Sequence, residues 1–403
     1  MKFEAGARFS APYWSGSAIN CSGRQYITID GNTVGIIEAT ANGDLLANKV
    51  SPSYGICSTC SNFEVKNLTV RNIYVATYNY SGSRASSSTA LIWTQDAGDV
   101  SIHDNIIHDA DIGVLYYNNS GSAKSNISIY NNTISACNWG IGGPMAMNAD
   151  LTNVSIYNND IEIGANWEDP ANNSHHNGMY TWNTGAGRLY NLNIYNNYVH
   201  DPVNPAGPFT HITGGFFVTD KITGIKIYNN VIAMTHGGQI SNGYIDLWAT
   251  DELSPKIYNN TFIGDGTGSG VGVQYMSQSG PGAPVIKNNI FVGMYAAIWL
   301  MGSGDTAISD YNIFYNVSDV GLRLTYPNTI YYATLSNWHA YTGQDASSIA
   351  SSPALNADYK LSVGSPAKWA GTASGQLSPA DKAGVTWHSP PSIGAYEYGS
   401  VRK

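Results

Sequence analysis

The 403-residue sequence predicts an all-β fold, a single-stranded solenoid of the right-handed parallel β-helix type. About 9–10 coils of three short strands each are expected, closed by a C-terminal cap. Three observations predict it. The composition holds 41 Asn, 43 Gly and 28 Tyr but only 12% charged residues. Asn and Gly tolerate left-handed backbone and tight turns, and Tyr favours strands. A short motif, apolar-x-apolar-Tyr-Asn-Asn-x-apolar, recurs at variable spacing. Within each copy the apolar residues alternate, which is the strand period.

The elements follow in order. Residues 1–18 start almost directly on a coil. Met1-Lys2 leads straight into Phe3-Glu4-Ala5-Gly6, so a leader or N-terminal segment is expected to have been removed. Two early coils, Tyr26–Gly31 and Phe63–Asn67, align at an offset of 36 residues. That offset sets Cys21 beside Cys57, as either a disulfide or an unbonded stack. Cys57-Ser-Thr-Cys60 has a metal-like spacing, but no second pair follows. A disulfide with Cys57 or Cys60, or a plain buried thiol, is the simpler reading.

The clear copies are Ile127–Ile134, Val154–Ile161, Leu192–Val199 and Ile225–Ile232; weaker ones are Val100–Ile107, Pro255–Phe262 and Pro284–Phe291. The second Asn falls at 105, 132, 159, 197, 230, 260 and 289, with Asn312 an eighth. Fixed segments with variable gaps describe a solenoid whose insertions are loops. The Asn pair breaks the first strand, a second apolar pair starts another, and a Gly-apolar pair marks a third. Examples are Gly113-Val114, Gly140-Ile141, Gly178-Met179, Gly215-Phe216, Gly243-Tyr244 and Gly321-Leu322. Coils stacked about 4.8 Å apart bury their inward side chains together. Equivalent Asn residues then form a ladder of amide hydrogen bonds. After residue 325 the pattern changes, and 326–403 reads as a capping segment on the last coils of a 1–325 helix, shielding an open edge.

This Asn-ladder repeat resembles the pectate-lyase-like superfamily over about residues 5–325. The tail through Pro391-Ser-Ile-Gly-Ala-Tyr-Glu-Tyr398 resembles the terminal segment of secreted bacterial β-helix proteins. The resemblance implies an extracellular, polysaccharide-active protein. It does not fix an activity, because lyases, glycosidases, epimerases, tailspikes and adhesins share the fold. The paired-Asp and Gly-His-Gly pattern of polygalacturonases is missing. So is the Asp-Pro-His-Asp of mannuronan epimerases, of which His200-Asp-Pro202 is a fragment in another order.

Charge narrows the partners. The formal net charge is −9 with 19 Lys and Arg, which argues against nucleic-acid binding. No apolar run reaches the roughly 18 residues of a membrane helix. The expected partner is a polysaccharide or oligosaccharide, and the expected location is secreted or at the cell surface. The expected state is a monomer, or a trimer if tailspike-like.

Val114, Met179, Phe216, Ile245 and Ile298 should face inward on the third strand. Their neighbours then face out, and Tyr180, Trp182, Phe217, Trp248 and Trp299 form an aromatic strip. Such a strip binds sugar faces or, under covering loops, is secondary core. The Tyr130, Tyr157, Tyr195, Tyr228 and Tyr258 column either stacks sugars or stacks on itself. Titratable residues gather on the same coils: His176, Arg188, His211, Asp220, Lys221, Asp246 and Asp251. β-Elimination from a uronic-acid polymer needs a base, for which Lys221, His176, His211 and Arg188 are candidates. It also needs the sugar carboxylate neutralised, for which Ca²⁺ on Asp220, Asp246 and Asp251 is the candidate. No organic cofactor is implied. Hydrolysis by an Asp220/Asp246 pair is the alternative, and non-catalytic glycan binding is the rival from a different class. Each of these side chains also has a plain loop or turn role open to it.

Overall fold

Each repeat copy forms a strand that stops at its Asn pair. The computed structural model describes residues 1–41, 53–73, 89–143, 147–164, 175–202, 212–236, 240–325 and 328–400. Almost all regular structure among them is strand, with one helix, Leu335–Thr342. The first Asn of each pair is left-handed: φ is 54° at Asn131, 55° at Asn158, 56° at Asn229 and 53° at Asn259. A residue in that conformation cannot continue a strand, and Asn adopts it at low cost.

Two compact units divide the chain. One is Met1–Tyr190 with Asp201–Thr213; the other is Asn191–His200 with Gly214–Lys403. The second unit includes the residues past 325.

In the first unit, strands of successive repeats pair in parallel. Val65, Ile102, Ile129 and Ile156 share one register line, and Ile56, Ile92, Val114, Ile141 and Met179 another. All nine are closed to solvent. Burying each Ile or Val contributes roughly 1.5–3 kcal/mol. The second Asn of each pair bonds to its counterpart one repeat on. Asn105 Nδ2 donates to Asn132 Oδ1 at 2.9 Å, and Asn132 Nδ2 donates to Asn159 Oδ1 at 3.0 Å. Asn159 Nδ2 donates to the Ile129 carbonyl at 2.9 Å, which pairs this buried amide with the main chain. The Gly-apolar pair also has a steric reason: a Cβ on Gly140 would lie 2.6 Å from the Gly178 carbonyl oxygen.

The second unit repeats this arrangement. Val199, Ile232, Phe262, Phe291 and Phe314 are in register on parallel strands. The ladder runs Asn197, Asn230, Asn260 and Asn289 at 3.0 Å per step, then to Asn312 at 3.2 Å. It ends where Asn312 Nδ2 donates to Asp345 Oδ1 at 3.0 Å. Within each unit this pairing is consistent with a β-helix.

The tail of the second unit does two things. Gly321 occupies the inward line after Phe216, Ile245, Val273 and Ile298, and its missing side chain admits the fully buried Trp338 ring. A Cβ there would lie 2.3 Å from that ring. Farther on, Leu361, Ala367 and Ile393 pack against Ile290 and Ile313, and Ala395 packs with Val231, Ala233 and Ile263. Asn229 and Asn288 donate to the Ala380 and Thr372 carbonyls at 2.9 and 2.8 Å.

The cysteines depart from the expected register. Asn20, not Cys21, stands opposite Cys57, one residue out of the predicted alignment. Cys21 meets Cys57 through the main chain, its amide donating to the Cys57 carbonyl at 3.0 Å. Cys21, Cys57, Cys60 and Cys137 are all free, buried thiols. The Cys60 thiol donates to the Cys21 carbonyl.

Candidate functional site

The third strands of the second unit are Gly214–Asp220, Gly243–Thr250, Val271–Ser277, Ala296–Leu300 and Asp319–Thr325. Phe216, Ile245, Val273 and Ile298 are in register and closed to solvent, the inward set that alternation predicts. The next position, on the opposite face, carries Phe217, Asp246, Gln274, Trp299 and Leu322 in register.

Asp246 is the unusual member of this line. It is 0% exposed, and neither carboxyl oxygen has a hydrogen-bond partner. Burial alone pushes its pKa from 3.8 up to about 7, because the charged form loses its hydration without gaining a partner. Native structures rarely leave a buried carboxyl unbonded, so this one is a functional-site candidate. Trp299 Nε1, two strands on in the same line, is also buried without a partner. Gln274 lies between them, nearly closed to solvent.

The other predicted residues of this unit take different places. Asp220 is opposite Thr250, past a register shift, with φ 69°. It lies three residues beyond Phe217, the residue facing Asp246, or about 10 Å along the strand. The two aspartates are not opposite each other. Lys221 sits at the bend after the Gly214–Asp220 strand. Asp251 Oδ1 accepts from Gln278 Nε2 at 3.1 Å and from Ser279 Oγ at 2.7 Å, which is a loop-bracing role. Among the described residues no three His, Cys, Asp or Glu side chains gather to hold a metal.

The aromatic strip is partly covered. Phe217 is buried and Trp299 half-buried, while Trp248, opposite Thr219, is 38% exposed. The predicted strip is therefore a mixture, with Phe217 as secondary core. Gln274 carried no sequence signal beyond its place after Gly272-Val273.

In the first unit, Tyr180 is half-buried and tilts against Trp139 at 4.5 Å. Trp182 is 38% exposed, 6.5 Å from Tyr180. Tyr54, Trp93 and Tyr117 add rings 4.7 and 5.9 Å apart that the sequence reading did not single out. His176 is buried; its amide donates to Thr213 Oγ1 at 3.2 Å and its carbonyl accepts from the Thr213 amide at 2.9 Å. The Arg188 amide donates to Asp150 Oδ1 at 2.9 Å. His211 lies outside the described residues. The tyrosine column stacks on itself: Tyr130 on Tyr157 at 4.8 Å and, in the second unit, Tyr195 on Tyr228 at 4.9 Å.

No protein-family profile matches the chain, and no curated protein matches it.

Proposed function

We propose that the protein is a right-handed parallel β-helix of the pectate-lyase-like kind. In this reading it acts outside the cell on a uronic-acid-containing polysaccharide and cleaves it by β-elimination, with Asp246 as proton donor. The handedness rests on the general rule that parallel crossovers are right-handed. The activity rests on one observation, the buried, unpartnered Asp246 carboxyl whose pKa is held at about 7. An acid with that pKa keeps its proton near neutrality and can release it to a leaving group.

In the reaction a base takes the proton at C5 of the uronate and the C4–O bond breaks. The departing glycosidic oxygen takes the Asp246 proton, leaving a C4–C5 double bond. Lys221 is the candidate base on the same unit, and the exposed Trp248 ring supplies a stacking face for a sugar. Asp246 faces Phe217 and Gln274 rather than a second carboxylate, which favours elimination over paired-carboxylate hydrolysis. Because Asp246 is closed to solvent, a glycan reaches it only by displacing what covers it.

The test is incubation of the wild type and Asp246→Asn with a panel of acidic and neutral polysaccharides. The reading predicts absorbance from unsaturated ends on a uronate polymer, reduced at least about 100-fold in the variant. New reducing ends without unsaturation would replace elimination by hydrolysis. Binding without any product would replace catalysis by adhesion.

A further inference from the structure

A second feature of the same unit is independent of Asp246. On the third strands, Leu247, Tyr275, Leu300 and Arg323 occupy one register line. The first three are closed to solvent and form part of the core. The fourth position, on the last of these strands, carries a guanidinium instead. The Arg323 guanidinium makes no hydrogen bond or ion pair with any described residue and acts electrostatically on the Tyr332 hydroxyl, in a chain where acidic residues outnumber Lys and Arg 28 to 19. It lines a cavity of about 430 Å³ between that strand and the helix Leu335–Thr342. That volume falls in the roughly 300–1,000 Å³ range of small-ligand sites.

The rest of the lining suits a particular ligand. Tyr341 is 71% exposed and Ile308 48% exposed, giving apolar surface at the mouth. Thr306 and Gln344 add a hydroxyl and an amide. A planar guanidinium without a partner matches a carboxylate in two-point geometry, which a lysine would not. An exposed aromatic ring matches the apolar face of a pyranose.

We propose that this cavity is a binding site for a carboxylate-bearing sugar, a hexuronate, held by Arg323 through its carboxylate and by Tyr341 through its ring. The site is separate from Asp246 and does not depend on the protein being a lyase.

The experiment is calorimetric titration of the full chain with galacturonate, with galactose as the uncharged comparison and inorganic phosphate as the bare anion. Galacturonate is expected to bind at least about tenfold more tightly than galactose, the difference one charge-assisted hydrogen bond makes. Arg323→Gln should weaken galacturonate binding at least about tenfold, with Arg323→Lys in between. Tyr341→Ala, at a position 71% exposed whose ring also contacts Tyr332 at 5.3 Å, should also weaken it, with an unchanged unfolding midpoint showing that the fold is kept. No galacturonate binding, binding unaffected by Arg323→Gln and Tyr341→Ala, or phosphate binding as tight as galacturonate would each overturn the proposal.

Discussion

Replacing Asp246 by Asn removes a carboxyl that the fold holds at a pKa of about 7, against 3.8 for the free side chain. The folded state raises this pKa, so its stabilising effect is complete below about pH 4. It is lost as pH rises towards 7, because the unfolded chain releases the proton first. Three units at 1.36 kcal/mol each give about 4 kcal/mol as the full span of the effect. Asn has nearly the same shape and does not titrate. The variant should therefore gain stability relative to the wild type between pH 4 and pH 8, by up to about 4 kcal/mol, or roughly 5 °C in Tm for a chain of this size. Denaturant unfolding of both proteins at pH 4, 6 and 8 measures the difference. Wild-type and variant stabilities that stay parallel across this range would show that Asp246 is ionised or solvated in the native state, and the argument for its role would fall. A variant that is more stable and inactive would instead mark Asp246 as a residue kept for activity at the expense of stability.

The two residues of one Asn pair should behave differently. Asn159→Ala removes a rung that accepts from the Asn132 amide and side chain at 3.1 and 3.0 Å and donates to the Ile129 carbonyl at 2.9 Å. Orphaning buried groups of this kind should cost about 3 kcal/mol or more by denaturant unfolding. Asn158→Gly, at the exposed left-handed position with φ 55°, should change stability by under about 1 kcal/mol. The thiols give a chemical readout. Burial pushes the Cys21 pKa up to about 11 and raises those of Cys57 and Cys137. A thiol reagent at pH 8 should react slowly with the native protein and with four thiols once it is denatured.

The repeat was legible because it depends on local chemistry. A strand period followed by an Asn pair dictates both the left-handed turn and the inward amide, and both are found at Asn131-Asn132 and Asn259-Asn260. The inward positions Val114, Met179, Phe216, Ile245 and Ile298 also followed from alternation, and all five are fully buried. What alternation could not supply was the register between strands. Asp246 pairs with Phe217, three residues before Asp220, and a one-residue difference separates Cys21 from Cys57. Nor could it supply cover: Phe217 faces away from the coil interior and is still buried. Asp251 looked like a site residue in the sequence, but its partners, Gln278 and Ser279, come from the following repeat. Arg323 drew no notice because only its alignment with Leu300 reveals a charge in a core line.

The protonation state of Asp246 is the point on which the functional reading turns, and infrared difference spectroscopy of wild type against Asp246→Asn measures it directly. A protonated-carboxyl C=O band should be present in the wild type at pH 6, absent from the variant, and lost with a midpoint near pH 7. A wild-type spectrum with no such band at pH 6, or one that disappears near pH 4, would contradict the account.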